Sequence, residues 1–189
     1  MKNRKILMQG ERVDLALFTK NEIDEVQDLS LNLNSAGDFW LLLDFRANES
    51  YEKRISLDGY FSEDSGHFHI LDKQGAIVGS VVYFKPVQFW NAREVGFRIY
   101  SQDDWGKGYA TNVLRLITSF LFERSNLTRI QITTDTENFG VHRIAEKCGF
   151  QKEGILRNTT FCRGKVASSV IYSMLPCEAP SLQSLLVKA

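Results

Sequence analysis

The sequence predicts a mixed α/β fold, with a mostly antiparallel sheet of six or seven strands and helices packed against it. In the first half of the chain, short apolar stretches separated by turns indicate strands that form a meander. The second half alternates strand, helix, strand, helix and strand, and such helices connect neighbouring parallel strands. With 189 residues, the chain fits one ordinary domain and leaves little room for a second. We expect a single domain over 1–189, in which about 177–189 form a C-terminal tail.

Alternating apolar residues and turn residues define the elements of the first half. Val13, Leu15 and Leu17 recur at every second position of Glu11–Phe18, which predicts a strand. The same reasoning predicts strands at His67–Leu71, Ile77–Phe84 and Glu94–Tyr100, and helical signals predict a helix from about Ser50 to Tyr60.

Thr19 and Glu22 match a capping box, in which a hydroxyl and a carboxylate bind the free backbone donors at the start of a helix. This pattern predicts a helix through Ile23 and Val26.

Helical spacing of apolar residues predicts two helices in the second half. One stripe runs along Ala110–Arg124, and another along Asn138–Cys148, which Gly149 ends as a left-handed C-terminal residue. A strand is expected at Ile130 and Ile132 between these helices, and the chain is extended again after them.

Composition and charge exclude several classes of protein. Apolar residues make up 43% and charged residues 24% of the chain, too balanced for a disordered tail or a membrane bundle. Basic and acidic residues number 23 each, so nucleic acid and acidic membranes are not expected as partners. No stretch approaches the roughly 18 apolar residues of a spanning helix, and no apolar segment follows the basic Met1–Arg12. We therefore expect a cytoplasmic protein.

The cysteines and histidines do not have the spacing of a metal site. Cys148, Cys162 and Cys177 are odd in number and lack CxxC or CxxH spacing, which argues against a disulfide scaffold and a structural zinc site. His67 and His69 share one face of a predicted strand without a further ligand at suitable spacing. We expect free thiols and no metal.

The most informative segment is a glycine-rich turn between a strand and a helix, Asp104-Trp105-Gly106-Lys107-Gly108-Tyr109-Ala110-Thr111. Gly106 and Gly108 lack a Cβ, so backbone N–H groups there can converge on an anion. The N-terminus of the following helix adds about half a positive charge. A phosphate fits such a site, and the alternative is a tight turn without a ligand. The spacing matches neither a P-loop nor a dinucleotide fingerprint.

These residues resemble the GNAT acetyltransferase superfamily, whose pyrophosphate loop reads Arg/Gln-x-x-Gly-x-Gly/Ala after a splayed strand. Here the loop is Trp105-Gly106-Lys107-Gly108-Tyr109-Ala110, and Trp105 departs from the first position. Asn138 and the later Gly149-Phe150-Gln151-Lys152-Glu153-Gly154 are similar to the Asn-led helix and Gly-Phe-x-x-Glu-Gly strand of the Rim-type branch, which includes ribosomal-protein N-terminal acetyltransferases. The resemblance implies a GNAT fold with a central splay in its sheet.

The resemblance also implies acetyl-CoA as the co-substrate. Its diphosphate would lie on the backbone of Gly106–Ala110, and its pantetheine arm would pair with Phe97–Ile99 like an extra strand. Asn138 would reach that arm, or else cap its helix, and Lys107 would meet a phosphate or remain solvated. The implied cofactor-binding residues are Phe97, Arg98, Ile99, Trp105, Gly106, Lys107, Gly108, Tyr109, Ala110, Thr111 and Asn138.

Acetyl transfer to an amine needs an acceptor for the amine proton and donors for the thioester oxygen. Glu94 is the candidate base, because it lies on the strand at the splay, at a position often acidic in the Rim branch; the alternative is a solvated carboxylate. The backbone N–H of Phe97 or Ile99 would polarise the carbonyl.

A general acid is not identified in the sequence. Where many relatives carry Ser or Tyr on the Asn-led helix, this chain has Val141 and Ala145, and Ser168 replaces a late Asp. Cys148 follows the same apolar stripe, so we expect a buried thiol with a raised pKa that makes a poor proton donor. Solvent is expected to protonate the departing thiolate.

The positions of four aromatic residues and one histidine are also predicted. Phe39, Trp40, Phe89 and Trp90 lie in segments that, by the resemblance, wall the acceptor cleft; core packing is the alternative. His142 is skipped by the inward stripe of its helix and is expected at the surface.

The sequence thus predicts an N-acetyltransferase that moves acetyl from acetyl-CoA to a primary amine by direct attack in a ternary complex. The amine belongs to a protein N-terminus or a small molecule. One rival is a non-catalytic acyl-CoA-binding or interaction module on the same fold, and another is an enzyme with a different acyl donor. The apolar tail Leu182–Val187 docks on its own domain or on a second subunit, which leaves a homodimer open.

Overall fold

A computed structural model describes residues 4–32, 34–35, 37–39, 47–162 and 164–187 of the chain. One eight-stranded sheet runs through these residues, with the strands in the order β1-β2-β3-β4-β5-β6-β8-β7. The strands are β1 (Ile6–Gln9), β2 (Asp14–Leu17), β3 (Ser65–Leu71), β4 (Ile77–Phe84), β5 (Ala92–Ile99), β6 (Arg129–Asp135), β7 (Gln151–Cys162) and β8 (Lys165–Met174). The helices are α1 (Ile23–Leu31), α2 (Asn48–Asp58), α3 (Tyr109–Arg124), α4 (Phe139–Lys147) and α5 (Leu182–Leu185).

The predicted fold class is confirmed, but the predicted number of strands was too low. The strand missing from the prediction is β1, which has four residues and lies at the edge of the sheet, paired only with β2. Met8 is its one buried residue, so no alternation of buried and exposed positions develops along it. The sequence of β1 therefore gives no strand pattern of its own, and only its pairing with β2 identifies it as a strand.

Strand pairing opens a gap in the middle of the sheet. Neighbouring strands are antiparallel except β5 and β6, which are parallel and paired only from Ala92 with Arg129 to Glu94 with Gln131. Beyond Glu94, β5 stays paired with β4, and β6 stays paired with β8. We call the resulting V-shaped gap, between 95–99 of β5 and 132–135 of β6, the splay.

Two apolar clusters cover the two faces of the sheet. The larger cluster contains α3 and α4 residues together with Val95, Phe97 and Ile99 of β5. The smaller one contains Val26 of α1 and Ile55 of α2 on the opposite face. Because side chains alternate along a strand, the remaining β5 residues, Glu94, Gly96 and Arg98, lie on the face of α1 and α2.

The capping box predicted at Thr19 and Glu22 was wrong, although the helix it announced is present as α1. Neither side chain caps the backbone; the Thr19 hydroxyl instead donates to Glu22 Oε2 at 2.7 Å. Burial tends to raise the pKa of Glu22, but hydrogen bonds from His69, Arg4 and Thr19 outweigh it and lower that pKa to about 2. The Glu22 carboxylate therefore binds Arg4 and His69, which are distant in the sequence, and does not cap the helix as the local pattern predicted.

The predicted helices α2, α3 and α4 are confirmed, and Gly149 has the expected positive φ of 93°. The tail packs on its own chain: Leu182 and Leu185 join the larger apolar cluster, and the Val187 N–H donates to the Gln9 carbonyl at 2.9 Å. None of the helices in the described part of the chain is long and apolar enough to span a membrane.

Candidate functional site

The closed end of the splay, where β5 and β6 are still paired, carries the predicted base. Gln131 Nε2 donates to Glu94 Oε2 at 2.7 Å across the last register pair. Gln131 is 5% exposed, and its Oε1 has no hydrogen-bond partner among the described residues. Glu94 is half-buried, so it is not the fully solvated carboxylate of the alternative interpretation. Sequence reasoning missed Gln131, because only strand pairing brings it beside Glu94.

The open end of the splay contains backbone donors without acceptors. The first intrahelical bond of α3 runs from the Asn112 N–H to the Gly108 carbonyl, at 3.1 Å. The N–H groups of Tyr109, Ala110 and Thr111 therefore have no acceptor within the helix. Gly108 is the N-cap, no side chain caps the helix, and its first turn has no acidic residue. Such a terminus attracts an anion.

The loop before α3 is shaped by two glycines and a local ion pair. Gly106 and Gly108 have φ values of 77° and 81°, a conformation that favours glycine. Lys107 Nζ lies 2.7 Å from Asp104 Oδ1, and this hydrogen bond raises the pKa of Lys107. The Lys107 ammonium group is therefore paired with a neighbouring carboxylate, and its side chain is 49% exposed. The Trp105 side chain is 49% exposed.

Arg12 is a further cation at this loop that sequence reasoning missed. A Cβ added to Gly108 would lie 3.1 Å from Arg12 Cδ and 3.3 Å from Arg12 Nε. The turn that carries Arg12 is fixed by Asn112, whose Oδ1 accepts from the N–H groups of Arg12 at 3.0 Å and Val13 at 3.2 Å. A separation of about one hundred residues left no local signal for this contact.

Asn138 caps α4, as one of its two predicted roles requires. Its Oδ1 accepts from the Val141 N–H at 3.3 Å. No described residue binds its Nδ2. The amide can therefore cap the helix through oxygen and still donate through nitrogen.

A cavity of about 540 Å³ lies between α2 and strands β3 and β4. Its floor continues across the sheet, because the lining residue Phe84 is the register partner of Glu94 and Val82 is that of Gly96. The lining residues are Ser50, Tyr51, Lys53, Arg54, Leu57, Tyr60, Ser65, Gly66, His67, Val82, Tyr83 and Phe84. This cavity and the adjoining β5 face from Glu94 to Arg98 are together called the cleft.

Of the four aromatic residues predicted for the cleft or the core, Phe89 and Trp90 are exposed at the surface. Phe89 is 84% exposed, Trp90 lies beside the Arg129 guanidinium, and neither lines the cavity. Phe39 is half-buried, and Trp40 lies outside the described residues.

The Cys148 thiol on the helix side of the splay has the environment of a poor proton donor. Cys148 is buried, with Sγ 3.6 Å from the Thr111 carbonyl, and burial raises its pKa to about 11. The surface position predicted for His142 was wrong in detail. His142 is half-buried, and its Nδ1 lies 3.0 Å from the hydroxyl of Tyr172, which the sheet places beneath α4.

His67 and His69 both pack against the Phe18 ring but differ in their other surroundings. His67 lines the cavity, whereas His69 is fully buried with Nε2 3.3 Å from Glu22 Oε2. Within the described ranges, no group of three or more His, Cys, Asp or Glu residues is arranged to hold a metal ion.

Comparison with known proteins identifies the family. Residues 20–151 match the Acetyltransferase (GNAT) domain, and the chain belongs to this family. It is 29% identical over 99 residues to the uncharacterized N-acetyltransferase YoaA of Bacillus subtilis, a match covering 52% of this chain and 55% of YoaA. It is 28% identical over 125 residues to the uncharacterized N-acetyltransferase p20 of Bacillus licheniformis, covering 66% of this chain and 67% of p20.

A third relative, YdaF of B. subtilis, is named a candidate ribosomal N-acetyltransferase and is 28% identical over 104 residues, 55% of this chain and 56% of YdaF. The chain thus spans little more than half the length of YoaA and YdaF. Among solved structures, the spermidine N-acetyltransferase of Vibrio cholerae, in complex with CoA and spermine, has a TM-score of 0.74. At 21% identity over 88% of this chain and 96% of that one, it supports the fold alone.

Proposed function

We propose that this chain is a cytoplasmic N-acetyltransferase of the Rim-like branch, which moves acetyl from acetyl-CoA to a primary amine. The observation that carries the proposal is the splay itself, which opens onto the uncapped N-terminus of α3. The two features together suit a ligand with a strand-like arm and a charged diphosphate.

The backbone of β5 supplies the arm site. Along 95–99, β5 is paired with β4 on one side and with no strand on the other, so its outward N–H and C=O groups need partners. A pantetheine arm, with its two amide groups, satisfies them as an added strand would. Phe97 and Ile99 then present N–H donors beside the thioester, and Asn138 donates through Nδ2.

The start of α3 supplies the diphosphate site. Free N–H groups of Tyr109, Ala110 and Thr111 face the anion, and the backbone at Gly106 and Gly108 approaches it closely because neither residue has a Cβ. Arg12 adds an exposed positive charge next to Gly108.

Glu94 supplies the base for direct attack. Gln131 fixes one carboxylate oxygen, which leaves the other free to take a proton from the amine, directly or through one water. The amine nitrogen forms a bond to the acetyl carbonyl carbon while the carbon–sulfur bond breaks. The CoA thiolate then takes a proton from solvent, since an ordinary thiol has a pKa of about 8.5.

Release of free thiol from acetyl-CoA tests this proposal against the rival of a non-catalytic binding module. The acceptor panel contains peptides with free N-termini, amino acids, polyamines and aminoglycosides. Acceptor-dependent thiol release supports the enzyme. Tight acetyl-CoA binding without release on any acceptor contradicts it and supports the module, which the loss of hydroxyls at Val141 and Ala145 would explain.

A further inference from the structure

Arg98 is a partly buried cation in the cleft that no described side chain neutralises. Its Nε and Nη2 atoms are buried and have no hydrogen-bond partner among the residues that the structure describes. The ring of Tyr100 lies 5.8 Å from the guanidinium carbon. Burial lowers the pKa of Arg98, and no carboxylate opposes that effect.

A buried guanidinium without an anion is energetically unfavourable, because it has lost water and gained no counter-charge. Natural structures retain such groups mainly at functional sites, where a ligand completes the pairing. The remaining donors of Arg98 therefore indicate a missing anion at this point of β5.

The position of Arg98 relative to Glu94 defines what this anion belongs to. Both side chains lie on the cleft face, and Gly96 between them leaves the strand bare. Four residues of extended strand separate their Cα atoms by about 13 Å. A molecule lying over Gly96 can therefore present an amine towards Glu94 and an anionic group towards Arg98.

Two further cationic side chains, Lys53 and Arg54, line the cavity of the cleft. The carboxylate of Asp58 is engaged by Arg54, with Nη2 3.0 Å from Oδ2. A polycationic acceptor would meet these side chains at a cost, because like charges repel each other more strongly where water is excluded.

We propose that Arg98 binds a carboxylate of the acceptor, so that the preferred substrates are amines that also carry an anionic group. The inference rests on the proposed acetyltransferase function and names the substrate class of that site. It separates this chain from the Vibrio protein whose structure contains spermine.

The test uses pairs of amines that differ only in a carboxylate: ornithine and putrescine, and lysine and cadaverine. We expect kcat/KM to be at least tenfold higher for the carboxylated member. Arg98→Gln should remove that preference through KM, and Arg98→Lys should restore part of it. Arg143→Gln, on the exposed surface of α4, is the matched control and should leave the preference unchanged.

Calorimetric affinity for acetyl-CoA confirms that each variant is folded. If the parent protein acetylates amines without preferring the carboxylated member, and Arg98→Gln does the same, the anion site is wrong. The proposed acetyltransferase function is then still supported. If no amine is acetylated, the proposed function fails, and thermal unfolding with CoA and each amino acid becomes the readout. If an amino acid raises the unfolding temperature of the parent protein but not that of Arg98→Gln, the anion site is still supported. If no amino acid stabilises the parent protein, the anion site is wrong.

Discussion

The two ends of the splay differ in whether their charged side chain has a hydrogen-bond partner. At the closed end, Gln131 donates to Glu94, so the two side chains hold each other in place. At the open end, the first N–H groups of α3 and two guanidinium nitrogens of Arg98 have no hydrogen-bond partner in the described part of the chain.

The proposed function assigns chemistry to the closed end and binding to the open end, and the difference in pairing agrees with that assignment. A catalytic group must keep its geometry through the reaction, and a hydrogen bond within the protein provides that constraint. A binding group is effective when its donors are free until the ligand arrives. Changes at the closed end should therefore affect turnover, and changes at the open end should affect affinity.

The largest expected effect is at Glu94. Glu94→Gln keeps the shape of the side chain and its contact with Gln131 but removes the basicity. We expect kcat on the true acceptor to fall by about 10²-fold or more, while calorimetric affinity for acetyl-CoA stays nearly unchanged. The control is Glu123→Gln on α3, where the new amide can still accept from the Leu182 N–H. A wild-type rate for Glu94→Gln would mean that the Glu94 carboxylate has a structural role only.

The second effect is at Gly108 and should have the opposite signature. Gly108→Val places a branched side chain against Arg12 and the free N–H groups, so affinity for acetyl-CoA should fall at least tenfold while kcat at saturation changes little.

Gly75→Val controls for backbone strain, which costs about 1–3 kcal/mol at such a position. Gly75 has a φ of 83°, close to that of Gly108, but no atoms lie within 4 Å of an added Cβ there. If both variants are folded and bind acetyl-CoA equally well, α3 does not hold the diphosphate.

A smaller effect is expected at Cys148, beside the splay but outside both ends. With its pKa raised to about 11 by burial, the thiol stays protonated through the neutral range and is shielded from the leaving group. Cys148→Ala should retain activity within roughly threefold after correction for folded fraction. The pH profile of kcat/KM should rise with loss of a proton and show no fall below about pH 9. A hundredfold loss of activity in Cys148→Ala, or a fall in kcat/KM below about pH 9, would mean that the site contains a proton donor that has not been identified.

The smallest effect concerns stability. Arg98→Met removes an uncompensated charge, and relief of about 1 kcal/mol would raise Tm by about 2–4 °C in a chain of this size. Glu94→Leu, by contrast, leaves the buried Gln131 without its partner and should lower Tm. Scanning calorimetry of the two variants measures both signs. A fall in Tm for Arg98→Met would mean that the guanidinium is already satisfied and that the two ends do not differ.

Local patterns in the sequence were sufficient to predict most of the fold. Alternation predicted β2 to β5, helical stripes predicted α3 and α4, and Gly149 marked a helix end, because each signal depends on residues a few positions apart. The signals for the loop glycines and for the helix start that is proposed to bind the diphosphate are also local. They could therefore be identified before any contact was known.

The tertiary structure decided everything that depends on distant partners. Arg12 meets Gly108, and Gln131 meets Glu94, only after strands from different parts of the chain have paired. The Glu22 carboxylate binds Arg4 and His69 and does not cap α1, and this too depends on contacts between distant parts of the chain. The sequence also could not predict that the Arg98 guanidinium lacks a described partner, because that depends on every residue packed around it.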